Sequence, residues 1–246
     1  MSTATASPGF MCKLKDREEV AEGTTAFRFE KPSGWAFKAG QYLDMTLLDP
    51  SETDSEGNVR SFSIASAPHE ETLMVVTRMR DTAFKRVLRS MLFGTAVKIE
   101  GPSGDLGLQK DSARTAVFLA GGIGITPFRS IVHWAAKEKS PNRILLFYSN
   151  RRPEDAPFLA DLQSLEKVNP KYKLIACMTE MEKSHQSWNG EIGLIDPGMV
   201  GRHLKSAVSP IYYIAGPPAM VKSLREALNK AGINGNDIRA EEFAGY

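Results

Sequence analysis

The hydrophobic pattern of this 246-residue chain changes period near residue 110, and that change constrains the fold more than any other feature. Before it, short runs at residues 25–30, 42–48, 61–65 and 73–78 are divided by Gly, Pro, Asp and Asn turns. Short strands punctuated in this way make an antiparallel barrel. One helical stretch interrupts them at 82–92, where Phe84, Val87, Leu88 and Met91 recur at spacings of three and four. After residue 111 the strands become unbroken apolar runs, at 115–120, 143–148, 172–178 and 211–215, and they alternate with amphipathic stretches at 127–138, 156–169 and 219–231. Strands of that kind are buried on both faces, which requires a parallel sheet with helical crossovers. The expectation is therefore two domains. An antiparallel β-barrel covers 11–110, ending in a strand at 96–100 and a turn-rich segment at 101–108. A doubly wound α/β domain with a parallel sheet covers 111–246, and residues 1–10 are a disordered tail.

Composition narrows the classes of function. With 42% hydrophobic and 24% charged residues the chain is globular in character. No apolar run approaches the roughly 20 residues that span a bilayer, so no membrane insertion is expected. The net charge of +2 arises from interleaved acidic and basic residues, without the basic stripe that nucleic acid requires. Two cysteines, Cys12 and Cys177, cannot build a disulfide framework or a four-cysteine iron-sulfur or zinc site in one chain. That usage suits a reducing cytoplasm. His69, His133, His185 and His203 are scattered without metal-ligand spacing, so no metal site is expected.

The strongest chemical signal of the second half is AGGIGITPF at 120–128, between an apolar strand and a helix. Gly121, Gly122 and Gly124 allow a tight turn and a close approach of backbone to a pyrophosphate. The helix start beyond them offers unpaired N–H groups and a positive dipole end. A plain tight turn also accounts for one or two of these glycines. The strand at 143–148 opens into SNRRP, where a dinucleotide-binding sheet meets the adenosine ribose. An acidic residue there favours NADH. Ser149, Arg151 and Arg152 stand there instead, and a guanidinium fork matches the 2'-phosphate of NADPH, although solvated surface arginines give the same pattern.

In the first half RSFSIAS at 60–66 is by itself an ordinary strand. Together with the glycine loop, with GPSGDLGL at 101–108 and with IAGPPAM at 214–220, it resembles the ferredoxin-NADP reductase superfamily, with the motifs in that family's order from Lys13 to Tyr246. The resemblance implies an FAD-binding barrel, a nicotinamide-binding α/β domain, and hydride transfer from NADPH or NADH to FAD. Electrons would pass on to an external acceptor such as ferredoxin, flavodoxin or an oxygenase component. It also implies roles residue by residue. Arg60 would meet the FAD pyrophosphate, Phe62 would stack on the flavin where the family more often has tyrosine, and Ser63 would hydrogen-bond near flavin N5. Asp81, Thr82 and Ala83 would open the helix that caps the FAD phosphates. Thr126 would sit where flavin and nicotinamide meet. Gly216 and Pro217 fall in the family's Cys-Gly-Pro motif, with Ala215 replacing the cysteine beside the nicotinamide. In the final EEFAGY, Glu242 would bring a carboxylate to the flavin, and Phe243 or Tyr246 an aromatic ring. Ser63, Thr126 and Glu242 are the expected catalytic group.

Two rival readings keep the fold and change the role. A flavin reductase would take flavin as a loose substrate, against which Arg60 and the 81–83 helix start argue. A redox-silent flavin-binding module would have lost turnover, and Ala215 is the residue that invites it.

Overall fold

The computed structural model describes residues 9–204 and 208–243. Six antiparallel strands build the first domain: β1 (Phe10–Ala21), β2 (Thr24–Glu30), β3 (Tyr42–Leu47), β4 (Val59–Ser63), β5 (Thr72–Arg78) and β6 (Ala96–Ser103). Their order across the sheet is β4-β3-β6-β1-β2-β5. Just past β4, Ala65 donates its N–H to the Met74 carbonyl of β5 at 2.8 Å, so the two edges meet and the sheet closes on itself. Alternate residues fill the barrel: Leu43, Met45 and Leu47 of β3 pack with Phe27 and Phe29 of β2. One helix, α1 (Ala83–Ser90), adds Phe84 and Leu88 to this core.

β1 begins at Phe10, inside the stretch expected to be a tail; residues 1–8 of that tail lie outside the described residues. The strand carries little apolar signal, because Cys12 and Leu14 are its only fully buried residues and charged side chains dominate the rest.

The second sheet is parallel throughout, with β7 (Ala116–Gly121), β8 (Ile144–Asn150), β9 (Tyr172–Met178), the two-residue β10 (Glu191–Ile192), β11 (Ile211–Gly216) and β12 (Ile238–Glu242) in the order β10-β9-β8-β7-β11-β12. α2 (Ile125–Lys137) and α3 (Leu159–Val168) cover one face, where Phe128, Ile131 and Leu162 meet Phe118, Leu146 and Tyr213. α4 (Pro197–His203) and α5 (Pro218–Lys230) cover the other through Met199, Val221 and Leu224 against Val117, Leu119 and Ile214. This is the doubly wound arrangement expected. β10, α4 and β12 are additions to it, each too short or too polar to show a period.

The chain runs outward from β7 through β8 to β9 and returns on the far side of β7 to form β11. Winding direction therefore reverses at β7, and in open α/β sheets ligands bind beyond the carboxyl ends of the strands at that point. The barrel lies against this crevice. Ile123, in the loop after β7, is buried with Ala26, Ala65, Met74 and Val76 of the barrel. Nearby, Arg129 of α2 donates to the Ala65 carbonyl at 2.9 Å and to both carboxylate oxygens of Glu70, at 3.0 and 3.2 Å, while Asp161 of α3 lies 3.2 Å from its Nε. The Ser130 hydroxyl donates to the Ser66 carbonyl at 2.7 Å.

Candidate functional site

Where the barrel meets the ends of β7 and β12 there is a cavity of about 470 Å³, a size ordinary for small-molecule sites. The barrel contributes Arg60, Phe62 and Ser63 from β4, Val76 and Thr77 from β5, and Arg80, Thr82 and Lys85 around the start of α1. The other domain contributes Ile123, Thr126 and Phe243. Six residues singled out from sequence thus share one space: Arg60, Phe62, Ser63, Thr82, Thr126 and Phe243.

Each is set by local structure. Thr82 is the N-cap of α1, its hydroxyl oxygen accepting the Lys85 N–H at 3.4 Å, so it caps and lines at once. The Phe62 ring lies 5.9 Å from the Phe84 ring, and the Arg60 guanidinium 5.2 Å above the same Phe84. Thr126 is buried in the first turn of α2, with its hydroxyl donated to the Ile123 carbonyl at 3.0 Å. Ala83 is buried and presents its N–H to the Asp54 carboxylate at 3.1 Å. Asp81 points away, exposed and paired with Arg86.

Three cations, Arg60, Arg80 and Lys85, line the cavity beside one carboxylate, Glu56. Burial, reinforced by the Arg80 and Arg60 charges, holds the Lys85 ammonium below the ordinary lysine value. Three cations and a helix start converging on one space make a site for a phosphate-bearing ligand. Sequence reasoning missed Arg80, Lys85 and Ile123. No motif marks the first two, and Ile123 stands between two glycines of the loop.

Gly121, Ser149 and Gly216 stand together at the carboxyl ends of β7, β8 and β11: Gly121 pairs with Ser149 in the sheet, and the Gly216 Cβ position is 3.2 Å from the Gly121 Cα. Gly122 is left-handed at φ +53, with nothing but the tip of Arg78 near the position a Cβ would take, a conformation that glycine adopts without strain. Gly124 is a glycine for another reason. A Cβ there would meet the Ala215 carbonyl oxygen at 2.2 Å, so its smallness lets the loop cross β11 rather than admit a phosphate. Pro217 precedes α5 as its N-cap, giving the crevice a second helix start beside that of α2.

The two arginines of SNRRP differ. Arg152 is bound to Asp155 at 2.8 Å and, across the domain boundary, to Glu22 at 2.7 Å. The Arg151 side chain is 53% exposed and lies 3.4 Å from the Asp155 carboxylate.

The carboxy-terminal strand does not bring its expected carboxylate, Glu242, into the cavity that Phe243 lines. Glu242 is exposed and outside the cavity, whereas Glu241 is half-buried in a neighbouring crevice with Asp105 and Arg239. Neighbours in a strand face opposite ways. Burial, with Asp105 close by, pushes the Glu241 carboxyl up to about 7. Its folded value lies above the unfolded one, so stability present below the unfolded value is lost as pH rises towards 7. Glu241→Gln is therefore expected to stabilise the fold by about 1 kcal/mol at about pH 8, a figure reduced for partial exposure, and by little at about pH 4. Thermal unfolding at the two pH values checks this, and a gain independent of pH would refute it. Tyr246 lies outside the described residues. Among the described residues no three His, Cys, Asp or Glu side chains come together as a metal site.

A barrel carrying an aromatic ring beside a group of cations, docked on the ligand crevice of a doubly wound sheet, is an arrangement suited to a dinucleotide-binding protein. The family model described as the oxidoreductase FAD-binding domain matches residues 11–107, and that of the oxidoreductase NAD-binding domain matches 118–226. Reductase component 2 of terephthalate 1,2-dioxygenase from Comamonas sp. is 28% identical over 239 residues, covering 96% of this chain and 68% of its own length. NADH-cytochrome b5 reductase 1 of Neosartorya fischeri is 23% identical over 231 residues, covering 89% of this chain and 73% of its own. Among solved structures, the Amycolatopsis cytochrome P450 reductase GcoB superposes with a TM-score of 0.80 at 21% identity, covering 98% of this chain and 73% of that one. A ferredoxin NADP+ reductase from Neisseria gonorrhoeae with bound FAD and NADP gives 0.79 at 21% identity, covering 95% and 98%. The chain carries an oxidoreductase FAD-binding domain followed by an oxidoreductase NAD-binding domain, and its fold is that of the ferredoxin NADP+ reductase structure. It is an oxidoreductase whose cofactors are FAD and a nicotinamide dinucleotide, and the donor set fits them: cations and a helix start for the FAD phosphates, Phe62 for the ring, and two glycine-edged helix starts for the nicotinamide dinucleotide.

Proposed function

We propose that this protein takes hydride from NADPH, or less readily NADH, onto FAD and passes the electrons to a separate acceptor. FAD, when bound, supplies a carrier that receives electrons as a pair and releases them singly or together. The observation that carries this reading is the meeting of Phe62 and Ser63 from one domain with Thr126 and Phe243 from the other in one cavity. Arg60 and the α1 start hold the FAD phosphates, Phe62 supports the ring and Ser63 orients its polar edge. Thr126, its hydroxyl fixed on Ile123, shapes the floor on which the nicotinamide lies, and Phe243 excludes water from the reacting face. Their joint task is to hold the reacting atoms within roughly 3 to 3.5 Å.

The relatives support an acceptor of the oxygenase-component or haem-protein kind, since one is named as a dioxygenase reductase component and another as a cytochrome b5 reductase. The proposed division falls near residue 110. A cytoplasmic location fits two free, buried thiols, Cys12 and Cys177. Among the described residues no helix is long and apolar enough to cross a membrane.

The test is anaerobic mixing of the purified flavoprotein with NADPH and with NADH, following the visible flavin band. Rapid bleaching is expected, fastest with NADPH; a flavin that neither nucleotide bleaches would favour the redox-silent reading that Ala215 invites. Arg151→Ala is expected to raise KM for NADPH about tenfold, the loss of one charge-assisted phosphate contact, and to leave NADH unchanged. Equal effects on both nucleotides would remove Arg151 from the 2'-phosphate site.

A further inference from the structure

β3 and β4 are adjacent antiparallel strands, yet the segment joining them, 48–58, has eleven residues, where hairpin loops commonly have about two to five. Four of the eleven are acidic: Asp49, Glu52, Asp54 and Glu56. Three of these reach the elements assigned to the FAD phosphates. Asp54 accepts the N–H of Ala83, the first residue of α1, at 3.1 Å and lies 3.4 Å from the Arg60 guanidinium. Glu56 lies 2.8 Å from the same guanidinium. Glu52 receives Nε of Arg86, one turn into α1, on both oxygens at 2.9 and 3.1 Å. An anion held by a helix start and an arginine is the arrangement by which proteins bind phosphate. Here side-chain carboxylates make those contacts.

We infer that the 52–56 segment is a carboxylate plug that competes with the FAD pyrophosphate for Arg60 and the start of α1. The inference rests on the reading of those two elements as the FAD phosphate site. Asp54 and Glu56 are then affinity-determining residues: FAD enters only by displacing them, and its hold is weaker than the three cations alone would give. The flavin of this enzyme is exchangeable to a degree set by its own loop.

Apoprotein titrated with FAD, followed by quenching of flavin fluorescence, tests this. Asp54→Asn with Glu56→Gln is expected to lower Kd about tenfold relative to wild type, the release of a pair of competing charged contacts. In an Arg60→Gln background, which itself binds FAD more weakly, the same pair is expected to gain less than about threefold, since its target is gone. An unchanged or raised Kd, or a full gain without Arg60, overturns the plug. On the unaltered protein, carbodiimide labelling of Asp54 and Glu56 read by mass spectrometry is expected to rise when FAD binds; labelling that stays level or falls overturns it as well. If neither wild type nor any variant takes up FAD, the cofactor site itself is misassigned and the plug falls with it.

Discussion

Gly124→Ala is expected to destabilise the second domain by more than about 3 kcal/mol, or to prevent its folding. The backbone at Gly124 is ordinary, φ −59 and ψ −4, so conformational freedom is not what glycine supplies. What an alanine cannot avoid is β11. Its Cβ would sit 2.2 Å from the Ala215 oxygen, 2.4 Å from the Ala215 carbon and 2.6 Å from the Gly216 nitrogen, all of them backbone atoms in the middle of a parallel sheet. Relief requires shifting either the loop that feeds α2 or the strand that feeds α5, and buried interiors yield poorly. Gly121→Ala is the control. Its Cβ would meet Met220 Sδ at 2.3 Å, the far part of an adaptable side chain, so a cost nearer about 1 kcal/mol is expected. Denaturant unfolding of both variants decides the matter: equal midpoints would mean that the crossing of loop and strand is looser than described.

Arg129→Met is expected to cost about 3 kcal/mol and to divide one unfolding transition into two. Arg129 is 6% exposed, and its guanidinium joins Ala65 and Glu70 of the barrel to Asp161 of α3 while lying 4.9 Å above the Phe158 ring. Methionine keeps much of the volume but strands two half-buried carboxylates and a buried carbonyl, which costs more than the ion pairs are worth in isolation. Burial raises the Glu70 and Asp161 carboxyls, but their bonds to Arg129 and His133 outweigh it and hold both below their ordinary values of 4.5 and 3.8. Groups lowered in this way contribute stability above those ordinary values and lose it as pH falls through the lowered ones. The penalty should therefore be full at neutral pH and shrink in acid. Calorimetry reads both effects, and a single transition at the wild-type temperature would sink the idea that this arginine couples the domains.

Much of this was legible in the chain. The change of period near residue 110 marks the junction of a barrel and a doubly wound sheet because the two bury strands differently, on one face and on both. The grouping of the candidate site was legible where unusual residues stand in series, as in Arg60, Phe62 and Ser63, which line one cavity, and in the glycines after β7. It was illegible where packing and chemistry use the same letters. Gly124 reads as a phosphate glycine and is a spacer; Arg152 reads as a nucleotide ligand and ties Glu22 to Asp155. Glu241 and Glu242 are adjacent identical residues, and only strand register tells which is the less exposed. β1 escaped notice because two inward residues carry all its apolar signal, and Arg80 and Lys85 because nothing in a linear sequence says that Arg60 is their neighbour.

The Phe243 N–H is donated to the Gly216 carbonyl at 3.0 Å, so the ring that roofs the cavity hangs from the residue that leads into α5. On the proposed function these two points receive different molecules, the flavin ring under Phe243 and the nicotinamide dinucleotide at Gly216. Occupancy of one then alters the free energy of occupying the other, and linkage requires the influence to be equal in both directions. A nucleotide that lifts the ring would loosen the hold on flavin by the same factor that flavin weakens the nucleotide, making the tightness of one cofactor a gauge of the presence of its partner.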